Sequence, residues 1–142
     1  MANPFDYLKE EPERKAHAAK QRQALRNEKR KFALKHDRVV VGVLRQLVEA
    51  AYPGERVRLM QDGEGNCCWC IGVSVCDFGE SGPYLHYRVI VALDHDANGQ
   101  PVGFWCHGHR TDLSRDGLTN GLKKLNHPLP YSHSSGIWDG DY

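Results

Sequence analysis

The 142-residue chain has no long hydrophobic run: the longest uncharged apolar stretches are Cys67 to Val73, counting Gly72, and Val39 to Leu44, counting Gly42. Both are far short of the roughly 20 residues a bilayer span needs, so no membrane role is expected. A charged-then-apolar start of the secretory kind is also missing. Cysteine is badly spaced for a disulfide framework, with an odd five residues, four of them between Cys67 and Cys76 and the fifth at Cys106. A reducing, cytoplasmic setting is the expectation that follows. The chain also lacks a Gly-rich phosphate loop, a G-x-S-x-G elbow and a helical H-E-x-x-H, so no motif names a reaction. With 40% hydrophobic and 26% charged residues, the composition is that of an ordinary globular protein with room for one domain and an appendage.

A formal net charge of +1 hides a strong partition. Residues 1–38 carry eleven Lys and Arg against six Asp and Glu, a net +5, whereas residues 39–142 carry eight against twelve, a net −4. A basic arm on a mildly acidic body is a pattern suited to nucleic acid or to another acidic surface. The arm reads as helix. From Glu13 to Val41 there is neither Gly nor Pro, and Ala, Gln, Leu, Lys, Arg and Glu predominate. Pro12 suits a first helical turn, and Glu10, Glu11 and Glu13 suit the positive end of the dipole. On a helical wheel Lys15, Arg22, Arg26, Lys29 and Arg30 fall within about 100° of one another, while Lys20, Lys31 and Lys35 lie elsewhere. Such a stripe can track a phosphate backbone and release its counterions, giving affinity without sequence readout. The opposing reading is a solvated helix, or one that docks an acidic protein. Ala18, Leu25 and Phe32 recur every seven residues as one narrow apolar seam, too thin to hold a core helix without a partner.

The spacing predicts an α+β body over 39–126. A second helix runs over about 37–51, with Val40, Val43, Leu44, Leu47, Val48 and Ala51 on one side. A four-stranded antiparallel β-meander follows over 56–61, 68–76, 84–93 and 101–107, separated by Gly, Pro, Asn and Asp turn signals. A last helix is expected over about 113–125, with Gly117 and Gly121 marking close packing, and 127–142 reads as an irregular tail docked by Trp138 and Tyr142. Strict alternation would put Trp69, Ile71, Val73 and Val75 on one sheet face and Leu85, Tyr87, Val89, Val91 and Leu93 on the bulky face of the next strand. The other face would then gather Arg58, Tyr84, His86 and Arg88, with Trp105 and His107 beside them. Aromatics among bases make a platform on which single-stranded bases stack while Arg holds phosphates. The plainer account is a half-solvated face.

Cys67-x-x-Cys70 and Cys106-x-x-His109 loosely resemble a zinc ribbon's ligand pairs. If residues 68–76 form a strand, however, Cys67 and Cys70 point to opposite faces, so small buried cysteines filling a tight face is the preferred account and no cofactor is expected. Asp94-His95-Asp96 and His107-Gly108-His109 supply groups for a metal-dependent acid–base site, though Asp in a hairpin turn more simply bonds nearby backbone. The segment Gly82-Pro83-Tyr84-Leu85-His86, an apolar strand, a Gly99 hairpin and Leu122-Lys123-Lys124-Leu125 together resemble part of a double-stranded RNA-binding domain over residues 80–125. Asp112, Ser114 and Asp116 stand where that family carries the lysines of its phosphate clamp, so the resemblance implies no membership. The leading expectation is a non-catalytic accessory subunit of an assembly containing RNA or DNA, with a protein partner or a second copy also engaged. A structural assembly protein comes next, and a small zinc protein or metal-dependent enzyme third.

Overall fold

A computed structural model describes residues 3–62, 65–76, 84–134 and 138–140. The expected arm and second helix are one helix, α1 (Tyr7–Ala51), 45 residues long and so about 67 Å at 1.5 Å per residue. Nothing in the sequence breaks it near residue 38, because Lys35, His36, Asp37 and Arg38 are all tolerated in a helix and neither Gly nor Pro intervenes. The arm-to-body boundary expected there is therefore no structural break. The helix starts five residues before Pro12, which sits inside it, where the missing N–H leaves one exposed carbonyl unbonded within the helix. At the far end Tyr52 caps the helix, its N–H donating to the Val48 carbonyl at 2.9 Å, and Gly54 takes the positive φ (+86°) that turns the chain back.

The fold is α+β, as the patterning predicts, but with more strands. They are β1 (Val57–Asp62), β2 (Cys67–Ile71), β3 (Ser74–Cys76), β4 (Tyr84–Tyr87), β5 (Val89–His95), β6 (Pro101–Cys106), β7 (His109–Thr111), β8 (Ser132–Ser134) and β9 (Trp138–Gly140), with α2 (Arg115–Lys123) between β7 and β8. Two antiparallel sheets result, one of six strands in the order β7-β6-β5-β2-β1-β9 and one of three in the order β3-β4-β8. The four expected strands form the meander β1-β2-β5-β6 at the centre of the larger sheet.

The extra strands have local causes. Each long central strand breaks in two at a shared bend, the first at Gly72 (φ +67°) and the second at Arg88, where the Arg88 N–H still donates to the Ile71 carbonyl at 3.0 Å. Only glycine suits position 72, since an added Cβ would lie 3.0 Å from the Glu55 carboxylate as well as at positive φ. Beyond the bend the chain swings into the three-stranded sheet. The alternation consequently slips: Val73, Leu85 and Tyr87 pack with Met60, Cys68, Cys70 and Ile90 on the face away from α1, not with Trp69 and Val89 as strict period two implies. A further hairpin turns at His107 (φ +48°) and Gly108 (φ +87°), so the last expected strand ends at Cys106 and returns as β7. The tail is not wholly irregular, because β8 pairs with β4 and β9 with β1. The Gly79–Pro83 turn, Tyr142 and the side chains of Cys76, Tyr84 and Trp138 lie outside what is described.

The main core lies between α1, α2 and one face of the larger sheet. Ala33, Val40, Val43 and Leu44 of α1 meet Trp69, Ile71, Val89, Val91, Phe104 and Cys106, closed off by Leu118 and Leu122 of α2. Trp69 and Phe104 meet edge to face, with centroids 6.4 Å apart. The Trp69 indole N–H donates to the Asp37 carboxylate at 2.9 Å, which satisfies the one polar atom that burial of the ring would orphan. Both α2 glycines sit at close approaches: a Cβ on Gly121 would lie 2.6 Å from the Thr111 methyl, and one on Gly117 would strike the Asp112 carboxylate beside the Ser114 cap. The Ser114 hydroxyl accepts from the Gly117 N–H at 2.9 Å, so the helix starts at Arg115 and is shorter than expected.

A partly buried relay ties the C-terminal segment to the end of α1. The Leu129 N–H donates to the Tyr52 hydroxyl (2.9 Å), the hydroxyl donates to His127 Nδ1 (2.6 Å), and His127 Nε2–H donates to the Leu122 carbonyl (2.9 Å). The carbonyl can only accept, which fixes the proton on Nε2 and sets the direction of the whole relay. Tyr52→Phe leaves Leu129 N–H without its acceptor and His127 Nδ1 without its donor. The expected loss is about 1–3 kcal/mol in urea unfolding, with the helical signal in circular dichroism unchanged.

Candidate nucleic-acid interface

Every α1 residue from Tyr7 to Leu25 is exposed, so the helix projects about 28 Å beyond the body before it first touches it. The first contact is Arg26. Its Nη1 donates to the Asp62 carbonyl at 2.8 Å, and Gln61 Nε2 donates back to the Arg26 carbonyl at 2.8 Å and to the Gly65 carbonyl at 2.9 Å. One turn on, Lys29 Nζ donates to Asn66 Oδ1 at 2.9 Å. The β1–β2 turn thereby clamps the helix where it leaves the body. Gln61 is 7% exposed, the one buried polar residue among those described, and its amide holds both sides of the clamp. No sequence signal marks it, since a Gln at the end of a strand has no periodic signature.

The structure divides the basic stripe. Lys15 and Arg22 stand on the exposed arm, while Arg26 and Lys29 are partly buried and bonded to the β1–β2 turn, with Arg30 partly buried alongside. At 100° per residue, Lys15, Arg22, Arg26, Lys29, Ala33, Val40 and Leu44 all fall within about 60° of one another. The basic line and the buried line are thus one stripe of one helix, polar where no sheet lies beneath it and apolar where the sheet does.

The sheet-face platform is not assembled. Arg58 lies on the face away from α1, across from Cys70, and that face is largely filled by Met60, Cys68, Cys70 and Ile90. Arg88 sits at the bend and turns elsewhere. Its guanidinium lies 4.4 Å from the Tyr131 ring centroid, its Nε lies 3.6 Å from the Glu55 carboxylate, and Nη1 donates to the Leu129 carbonyl at 3.4 Å. His86 is partly buried, 6.2 Å from the Tyr131 ring. Arg88 and His86 therefore hold the C-terminal segment in place, and the break at residue 88 is what separates them from Arg58.

The ligand pairs are not gathered either. Cys67 belongs to the core under α1 and Cys70 to the opposite core, as alternation along one strand requires. Cys106 shares the α1 side with Cys67, but β5 lies between their strands, a separation of about 10 Å, and His109 sits beyond Cys106 on β7. Among the described residues no group of three or more His, Cys, Asp or Glu is placed to hold a metal. Cys68 and Cys70 turn their sulfurs to within 3.7 Å of each other; that contact and burial push the Cys68 thiol far up. Burial alone pushes Cys106 up to about 11, so neither thiol is primed as a nucleophile. Asp96 does turn chemistry, accepting from the Asn98 and Gln100 N–H groups at 2.9 and 3.0 Å, while Asp94 pairs with Arg110 at 3.7 Å.

His107 has a structural task that the sequence does not reveal. Its Nε2 accepts the Ile90 N–H at 3.1 Å, continuing the β5 ladder where β6 has already turned away. An accepting Nε2 must be unprotonated, and burial, followed by the nearby His127 and His109, lowers the pKa of His107 below its ordinary 6.5. Burial and the Lys35 charge lower His36 in the same sense. A lowered folded-state pKa means that the unfolded chain binds protons first, so stability is full above about pH 6.5 and declines as pH falls below it. The melting temperature is expected to drop between pH 7 and pH 5, and His107→Gln, whose amide oxygen can accept the same N–H without titrating, should flatten part of that drop.

Among the described residues no helix is long and apolar enough to cross a membrane. No family model, no curated protein and no solved structure matches this chain.

Proposed function

We propose that the protein is a non-catalytic accessory subunit of a nucleic-acid-containing assembly, in which the projecting part of α1 contacts phosphates and the sheet body serves as its rigid mount. The observation that carries this reading is that every residue from 7 to 25 is exposed, with Lys15 and Arg22 on the same helix line as the residues that dock it. The clamp at Arg26 and Lys29 fixes the direction in which that line points. A charged ridge held at a set angle can follow a phosphate backbone with little loss of conformational entropy on binding. Arg58, His86 and Arg88 have no part in this reading. A second reading, docking to protein in a structural assembly, is favoured by one separate feature: Phe5, Tyr7 and Leu8 at the arm's tip are 63%, 55% and 52% exposed.

The test is binding of the full chain to single- and double-stranded RNA and DNA by fluorescence anisotropy over a salt series. With Arg26 and Lys29 bonded to the body, Lys15 and Arg22 are the main contributors. The expected slope of log affinity against log salt is about −2. Lys15→Ala with Arg22→Ala should make the slope shallower by about 2. Absence of binding at low salt, or a slope indifferent to those substitutions, removes nucleic acid and leaves the protein-docking reading.

A further inference from the structure

Where α1 leaves the body, a cavity of about 340 Å³ opens between the helix and the tips of two hairpins. Leu25 and Phe32 form its apolar wall on α1, with Leu25 48% exposed and Phe32 partly buried. Across from them stand Asn66 of the β1–β2 turn and the Asn98–Gln100 turn between β5 and β6. Asp96 sets the second turn: its carboxylate accepts the Asn98 and Gln100 N–H groups, and Gly99 takes a positive φ (+78°). The Asn66 amide is engaged with Lys29 and Asp62. The side-chain amides of Asn98 and Gln100 have no hydrogen-bond partner among the described residues, so each brings a donor and an acceptor to the cavity wall.

We propose that this cavity receives a single unpaired nucleobase, stacked against Phe32 with its edge toward Asn98 and Gln100. This rests on the proposed contact of α1 with phosphates and adds to it the form of nucleic acid that is taken. An aromatic ring offers stacking to any base, and an amide carries the donor and acceptor pair that a base edge complements.

Position, size and chemistry converge on that ligand. Arg22, the last exposed charge of the basic line before the body, precedes Leu25 by three residues, so the two are neighbours on the helix surface. A strand whose phosphates follow Lys15 and Arg22 therefore arrives at the mouth of the cavity. The volume lies at the low end of the roughly 300–1,000 Å³ of small-molecule sites, and a base held in a duplex cannot enter without leaving its stack. Glu28 at the rim can only accept hydrogen bonds, which suits a base amino group and keeps phosphate to the Arg22 side. Lys35, with Nζ 5.3 Å from the Phe32 centroid, does not line the cavity and so leaves that side of the ring clear.

The experiment measures binding of the full chain by fluorescence anisotropy to three probes, each as RNA and as DNA: a single-stranded oligonucleotide, the same strand made abasic, and the duplex. The intact strand should bind about tenfold more tightly than the abasic one, which keeps the phosphates and lacks the bases. Phe32→Leu should remove most of that difference and leave the salt slope unchanged, because no charge is lost. Phe32→Tyr, which keeps the ring, should retain it. The exposed double variant Asn98→Ala with Gln100→Ala should narrow the difference several-fold, and it carries the test should Phe32→Leu disturb the docking of α1. Lys15→Ala with Arg22→Ala acts in the opposite sense, weakening intact and abasic strands alike. Nucleoside monophosphates as competitors separate the two sources of a base. Competition that needs Phe32 but not Lys15 and Arg22 assigns a free nucleotide, its absence assigns a strand, and both keep the pocket. Intact, abasic and duplex probes bound equally, with a slope that depends on Lys15 and Arg22, overturn the pocket and leave the arm's phosphate contact standing. If no probe and no mononucleotide binds at low salt, both fall.

Discussion

The packing of Ala33, Val40 and Leu44 of α1 onto Trp69 and Phe104 is the constraint on which the rest of the molecule depends. It fixes the rotation of a 45-residue helix about its own axis, and rotation is inherited along a rigid helix. Once that face is down, the direction of every arm side chain follows, including Lys15 and Arg22 about 27 Å and 17 Å along the axis from Ala33. The Trp69–Asp37 hydrogen bond pins the helix in register as well as in rotation, since an indole N–H buried without an acceptor is costly. The Arg26–Gln61–Lys29 clamp adds a second fixed point at the body's edge, so the projecting arm is aimed as well as anchored.

The bend at Gly72 and Arg88 is the second organising feature. It gives a domain of modest size two apolar clusters in place of one, the larger under α1 and the smaller around Met60, Cys68, Cys70, Leu85 and Ile90. The smaller cluster holds Cys68 and Cys70, compact and polarizable side chains that fill the narrow space inside a folded-over hairpin. The bend also brings Arg88 to Glu55 and Tyr131, and so recruits the C-terminal segment to the body. With the Tyr52–His127–Leu129 relay, this gives the last part of the chain a structural role that its Ser- and Gly-rich composition conceals.

Several features were legible from the residues because they rest on local rules. The long helix without Gly or Pro over 13–41, its termination at Tyr52-Pro53-Gly54, the antiparallel meander with short turns and the opposite placement of Cys67 and Cys70 all follow from propensity, turn chemistry or strand alternation. The division of charge between arm and body is likewise plain arithmetic on the sequence. The failures have equally definite causes. The two helices merged because no residue between 35 and 39 interrupts hydrogen bonding, and an apolar stripe that begins at residue 40 marks where a sheet lies beneath the helix, not where the helix starts. The sheet faces were misassigned because period two holds only along an unbroken strand, and one residue in the left-handed region at Gly72 resets it.

The candidate site was legible as a set of residue types and not as an arrangement. That Lys15, Arg22, Arg26 and Lys29 share a helix face is a property of helical periodicity alone. That the last two of them bond the β1–β2 turn while the first two face solvent was decided by where the hairpin ends, a matter of contacts between residues some 36 positions apart. Arg58, His86 and Arg88 diverged for the same reason, since no local rule says how a bent hairpin will direct an arginine at its hinge. The sequence by itself determined a basic helical rod joined to an acidic antiparallel α+β body, because propensity, periodicity and charge act over a few residues. Tertiary structure alone decided which of the charges remain at the surface, because that depends on partners the chain meets only after it folds.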